Sequence, residues 1–232
     1  MAYASAGENY LYIQGGFTEV GKIRTQSNQL FALDLTVQTW STSRPPWLAP
    51  PSLHGTVSPT SSDHSMTVSK DGDNLYIWDP IQVSPWWTYS ISQKFWDYFQ
   101  NPLNITKALG IRNAVDMNTG NVYIPAGSNE GTMMIMNTPR TNAVPTSFMP
   151  TELMPVPVVQ ESFVWSTYRN TFLHYGGRSM DAKTSNPNLT EFSPSSSRWR
   201  SVVLFTHVNI RLFACGNITT MIATPVPNSI NF

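Results

Sequence analysis

Apolar residues along this chain come in short alternating runs, each closed by glycine or another breaker. The clearest stretch is Asn9 to Trp40. Asn9-Tyr-Leu-Tyr-Ile-Gln-Gly-Gly16 is an apolar run ended by a glycine pair, Asn28-Gln-Leu-Phe-Ala-Leu-Asp-Leu35 alternates, and Trp40 closes the stretch. Runs of this length, rich in aromatic and β-branched residues and bounded by turn formers, predict strands.

Three weaker copies follow. Asp73-Asn-Leu-Tyr-Ile-Trp-Asp-Pro80, Gly120-Asn-Val-Tyr-Ile-Pro-Ala-Gly127 and Asn170-Thr-Phe-Leu-His-Tyr-Gly-Gly177 overlay the first octapeptide. A shorter strand is predicted before each, at Tyr3–Ser5, Ser65–Val68, Asn113–Val115 and Ser162–Trp165. The turns between contain Gly7, Asp71-Gly72, Asn118-Thr-Gly120 and Tyr168-Arg-Asn170, which is hairpin chemistry. A second cassette follows each octapeptide. Asp34-Leu-Thr-Val-Gln-Thr-Trp40 returns as Ser90-Ile-Ser-Gln-Lys-Phe-Trp96 and Ser193-Pro-Ser-Ser-Ser-Arg-Trp199. The Asp or Ser oxygen accepts a backbone N–H in the turn, and the tryptophan begins the next strand. The third unit, with Asn137-Thr-Pro-Arg-Thr-Asn-Ala-Val144, keeps the turn without the tryptophan.

Each unit therefore reads as four short antiparallel strands, repeating about every 50 residues. The units are expected at about 2–43, 62–100, 110–147 and 160–203, with 204–232 a divergent tail or partial further unit. One such sheet cannot bury both faces alone. Radial stacking covers each sheet with its neighbours, which favours a β-propeller over a sandwich.

The repeat resembles the kelch-type β-propeller family of filamentous fungi, within the superfamily that includes galactose oxidase. The resemblance rests on Gly15-Gly16 with Asp34 and Trp40, and on Gly176-Gly177 with Trp199. It implies a tight bend at each glycine pair, where the neighbouring blade's tryptophan approaches closely. Trp40 and Trp199 are then expected to be largely buried between blades. Asp79-Pro80 and Ala126-Gly127 depart from the pattern. Family rings most often have six or seven blades, so a partial propeller, or a small one with an atypical last blade, is expected. An open arc would self-associate.

Composition narrows the function. The chain has 232 residues with a formal net charge of +0, and 12% are charged. No basic surface favours nucleic acid. No run of about 18 apolar residues spans a membrane. Met1 to Gly7 is too short and polar for a secretory signal. Compartment stays open, the composition being compatible with secreted or cell-surface proteins. Asn104, Asn188 and Asn217 open glycosylation sequons that matter only on secretion.

Cys215 is the sole cysteine, and His54, His64, His174 and His207 are dispersed, with no zinc spacing. The family's copper-radical oxidases need two tyrosines, two histidines and a cysteine crosslink, so a divergent oxidase is the alternative rather than the main reading. Neither Gly-x-Ser-x-Gly nor a converging acid pair points to a hydrolase. No cofactor is expected.

Alternation puts the loops after strands two and four of every unit on one face. That face carries Arg24, Arg44, Trp47, Trp86, Glu130 and Arg178, and Arg and Trp dominate interface energetics. The expected activity is non-catalytic binding of a protein or glycan there. For Trp86 the competing reading is burial over the divergent Asp79-Pro80 junction.

Overall fold

The computed structural model describes residues 2–6, 9–36, 47–48, 54–55, 64–78, 86–99, 112–125, 132–138, 146–150, 158–179 and 188–202. Among them every regular element is a strand. In chain order these are β1 (Ala2–Ala6), β2 (Tyr10–Gln14), β3 (Phe17–Val20), β4 (Ile23–Gln26), β5 (Leu30–Asp34) and β6 (Trp47–Leu48). Next come β7 (His54–Gly55), β8 (Ser65–Val68), β9 (Asn74–Trp78), β10 (Trp86–Ser90), β11 (Phe95–Phe99), β12 (Ala114–Val115) and β13 (Val122–Pro125). The last are β14 (Thr132–Met136), β15 (Thr146–Pro150), β16 (Val158–Ser166), β17 (Thr171–Ser179), β18 (Leu189–Ser193) and β19 (Arg198–Ser201).

Four sheets result, each an antiparallel meander: β1-β2-β5-β6, β8-β9-β10-β11, β12-β13-β14-β15 and β16-β17-β18-β19. The second gains β7 on its outer edge, parallel to β11. A separate hairpin, β3-β4, is inserted in the first. The octapeptides form the second strand of each sheet, as their pattern requires. First strands of successive sheets lie side by side, β1 by β8, β8 by β12 and β12 by β16. The described strands do not close into a ring.

Turn chemistry sets the registers. Gly72, Gly120 and Asn170 take the left-handed conformation in three first turns, with φ of 81°, 82° and 54°, Gly120 and Asn170 opening their octapeptides and Gly72 one residue before its own. Lys94 and Ser197 do so at φ 54° and 56°, each two residues before the cassette tryptophan. Asp34 is a turn former: its Oδ1 accepts from the Thr36 amide at 2.9 Å and from the Thr36 hydroxyl at 2.6 Å. Those bonds hold its carboxyl below the ordinary carboxylate range.

Successive side chains on a strand point to opposite faces, so a sheet between two others buries both. β9 sends Leu75 and Ile77 toward sheet one, and Tyr76 and Trp78 toward sheet three. Against sheet one, Trp96 and Tyr89 meet the small Ala4, Ala6 and Ala32. Sheets two and three enclose Trp78, Trp86, Val122, Ile124, Met134 and Met136. Sheets three and four enclose Tyr123, Met133, Phe163, Phe172 and Phe192. Each fully buried large apolar side chain contributes about 1.5–3 kcal/mol. The Met133–Met136 run fills two layers at once, because its unbranched side chains adapt to whichever ring faces them.

Three expectations change. The loop after the second strand of unit one, the one that carries Arg24, contains the β3-β4 hairpin. The proline-rich segment around Trp47 supplies the fourth strand of sheet one, with Trp47 paired to Leu33. A two-residue edge strand tolerates flanking prolines because its outer N–H groups have no ladder partner to lose. At Gly176, φ is 76° and nothing lies within 4 Å of where a Cβ would stand, so backbone conformation requires glycine there, not close approach.

Candidate functional site

In each sheet the loops after the second and fourth strands leave the same end. On sheet one that end carries the β3-β4 hairpin, reached through Gly15 and Gly16 at φ 69° and 97°. The Gly15 amide donates to Gln29 O and the Ser27 amide to Gly16 O, both at 2.9 Å, so the ladder runs on past the glycine pair into the arm. Gly21, at φ 66°, leads a two-residue turn of the kind that matches strand twist.

The arm is exposed throughout β4. Val20 and Ile23 face each other across the turn and are 80% and 71% exposed. Beside them Glu19 is paired in register with Arg24. The Arg24 guanidinium stands over the Phe17 ring, 4.1 Å from its centroid. This gives a ribbon with an aliphatic tip and a cationic shoulder.

At the same end, near the first strands, polar groups tie the sheets together. His64 Nε2 lies 3.1 Å from Gln14 O. The Ser65 hydroxyl donates to Asn113 Oδ1 and accepts from the Asn113 amide at 2.8 Å. Gln14, His64, Ser65 and Asn113 are all buried. At the opposite end Lys70 Nζ donates to Asn118 O at 2.6 Å, and Asn118 Nδ2 to Asn170 Oδ1 at 3.1 Å.

Of the six candidate binding residues, Arg24, Trp47, Trp86 and Arg178 lie among the described residues. Arg24 is exposed on the arm. Trp86 is fully buried in β10, its ring 6.1 Å from Trp78, so it leaves the binding face. Its register opposite Trp78 makes it core, the competing reading given above for this residue. Trp47 and Arg178 lie in β6 and β17, not in loops. Arg44 and Glu130 lie outside the described residues, as do Trp40, Cys215, Asn104 and Asn217. Trp96 is fully buried against Tyr89, with centroids 4.9 Å apart. Trp199 is half-buried, packed on Phe192 and edge-on to His174, on the face of sheet four that meets sheet three.

Asn188 is exposed just before β18, but the threonine of its sequon is committed. Thr190 is buried and its hydroxyl contacts His174, 3.1 Å from Nδ1 and 3.4 Å from the carbonyl.

Two buried polar groups escaped the sequence. His174 is buried between aromatic rings, and burial pushes it down to about 4, so it is neutral. Glu191 is fully buried on the other face of sheet four. It accepts from Arg169 at 3.0 Å, Arg200 at 2.9 Å and the Thr171 hydroxyl at 2.6 Å. Burial raises its carboxyl, but those bonds outweigh burial and hold it below the ordinary range. The available signal was alternation: Thr171, Leu173 and Tyr175 share the face of Glu191.

Among the described residues no group of three or more His, Cys, Asp or Glu is placed to hold a metal ion. No helix there is long and apolar enough to cross a membrane. Compared with protein-family models and with curated proteins, the chain matches none.

Proposed function

We propose that the chain is a kelch-type β-propeller, or an arc of one, acting as a non-catalytic binding module for a protein or glycan. The stacked four-stranded meanders, with first strands side by side, support the propeller reading. The observation that carries the binding reading is the β3-β4 arm on the multi-loop end. Folding leaves Val20 and Ile23 in water there, next to Lys22 and Arg24. Adjacent exposed aliphatics at the tip of such a ribbon suit an interface.

The test uses wild type and a Val20→Asp/Ile23→Asp double variant, compared on a glycan array and by crosslinking to candidate partners. The expected result is a ligand held by wild type and lost by the variant, with equal melting midpoints. Equal retention by both would remove the arm from the site. Stoichiometric copper in the purified chain, with oxidation of a primary alcohol, would replace this reading with the oxidase one.

A further inference from the structure

Ser65 and Thr67 are one alternation apart on β8 and face sheet three, in register with Trp78 and Tyr76. Asn113, immediately before β12, reaches Ser65 from sheet three and uses its carbonyl oxygen and its backbone amide on that one hydroxyl. Its remaining donor, Nδ2, has no partner, and neither does Thr67 Oγ1. Asn113 is 5% exposed and Thr67 2%. Trp86, in the cross-strand row Ser65, Trp78, Trp86, brings a third unpartnered group, Nε1, to the same layer.

Buried polar groups in folded proteins are satisfied by protein or by ordered water. Here three such groups collect between two sheets within a layer otherwise made of aromatic, Val, Ile and Met side chains. Thr67 lies about 7 Å along the strand from Ser65, to which Asn113 is tied, so the two unpartnered groups belong to neighbouring positions on one face of β8. Nδ2 and Nε1 can only donate, while the threonine hydroxyl does either. The occupant must therefore accept hydrogen bonds without bringing a positive charge.

We propose that the interface of sheets two and three holds an internal water site. A water there accepts from Asn113 Nδ2 and exchanges a hydrogen bond with Thr67 Oγ1. The site is a second polar link between these sheets, beside the Ser65–Asn113 pair. A small anion would satisfy the same donors, and the test separates the two.

The experiment is a crystal structure of the full chain at a resolution that shows ordered solvent, repeated after a bromide soak and for Thr67→Val and Thr67→Ser. The expected result is a solvent peak within hydrogen-bond distance of both Asn113 Nδ2 and Thr67 Oγ1. It should give no anomalous bromide signal, persist in Thr67→Ser and disappear in Thr67→Val. The wild-type and Thr67→Ser crystals decide the matter if Thr67→Val does not fold. No solvent peak, direct protein partners for both atoms, or an anomalous bromide peak would overturn the proposal.

Discussion

Asn118 Nδ2 donates to Asn170 Oδ1 at 3.1 Å, and the two residues are 52 positions apart. Lys70 reaches Asn118 across 48 positions, Ser65 reaches Asn113 across 48, and His64 meets Gln14 across 50. Every one of these links between sheets joins residues one repeat apart. The sequence period is thus also a contact distance, and each sheet addresses its neighbour through the same part of the unit.

Asn170 tests the turn itself. Its φ of 54° suits asparagine and glycine and penalises β-branched residues. Asn170→Gly should change stability little, losing one exposed hydrogen bond. Asn170→Val should lose about 1–2 kcal/mol or more. Urea midpoints of the two variants would check the order; equal midpoints would contradict the turn assignment.

The cassette tryptophans should separate. Trp96 is fully buried and Trp199 half-buried. Trp96→Ala should cost about 3–5 kcal/mol, since an aromatic removed from a packed layer leaves a cavity. Trp199→Ala should cost clearly less, because water can fill part of the space. Chemical denaturation of both measures the difference.

Glu191 and its arginines should respond asymmetrically. The carboxylate is fully buried, whereas the Arg169 and Arg200 side chains are 46% and 65% exposed. Removing the acid leaves cations that water can solvate, so Glu191→Ala should cost only about 1–2 kcal/mol. Removing both arginines strands a buried negative charge, and Arg169→Ala/Arg200→Ala should cost about 3–5 kcal/mol. A double variant less damaging than Glu191→Ala would contradict the burial described.

The pH dependence follows from His174. The unfolded chain binds its proton near the ordinary value, the folded chain only near 4. The unfolded state therefore takes up more protons as pH falls from about 6.5 to 4, and stability falls with it, by about 3 kcal/mol at most. Glu191 has a lowered folded value, so its contribution is present above the ordinary carboxylate range and is lost at lower pH still. His174→Phe keeps the Thr190 bond to the backbone carbonyl and should flatten only the upper window. Unfolding midpoints measured between pH 7 and 4 would show it.

The meander was legible because strands two and three of each unit carry strong alternation, and because Gly72, Gly120 and Asn170 mark the same turn. The arm was not. Thr18, Glu19, Arg24 and Thr25 have no apolar period, and its strands are held by a glycine-led turn rather than by burial. The fourth strand of sheet one was hidden by prolines on both sides of Trp47. The candidate face rests on loop position and residue type, and neither reports where a strand begins or its register. Trp86 looks like an interface residue until its pairing with Trp78 places it in the core. Glu191 was passed over because only its position beside Thr171 and beneath two arginines makes a strand carboxylate unusual.

The uniform separation across the sheet junctions bears on how the chain folds. Closing a loop costs entropy that grows only with the logarithm of its length, so junctions spanning 48, 50 and 52 residues carry nearly the same penalty. Topology then gives no junction a head start, and side-chain chemistry must choose the nucleus. The third junction is the most aromatic, with Phe172 touching Tyr123, Phe163 and Trp165 at 4.8 Å between centroids. Folding should condense there first and spread toward the N-terminus, so that the loop-bearing arm of sheet one is set in place last.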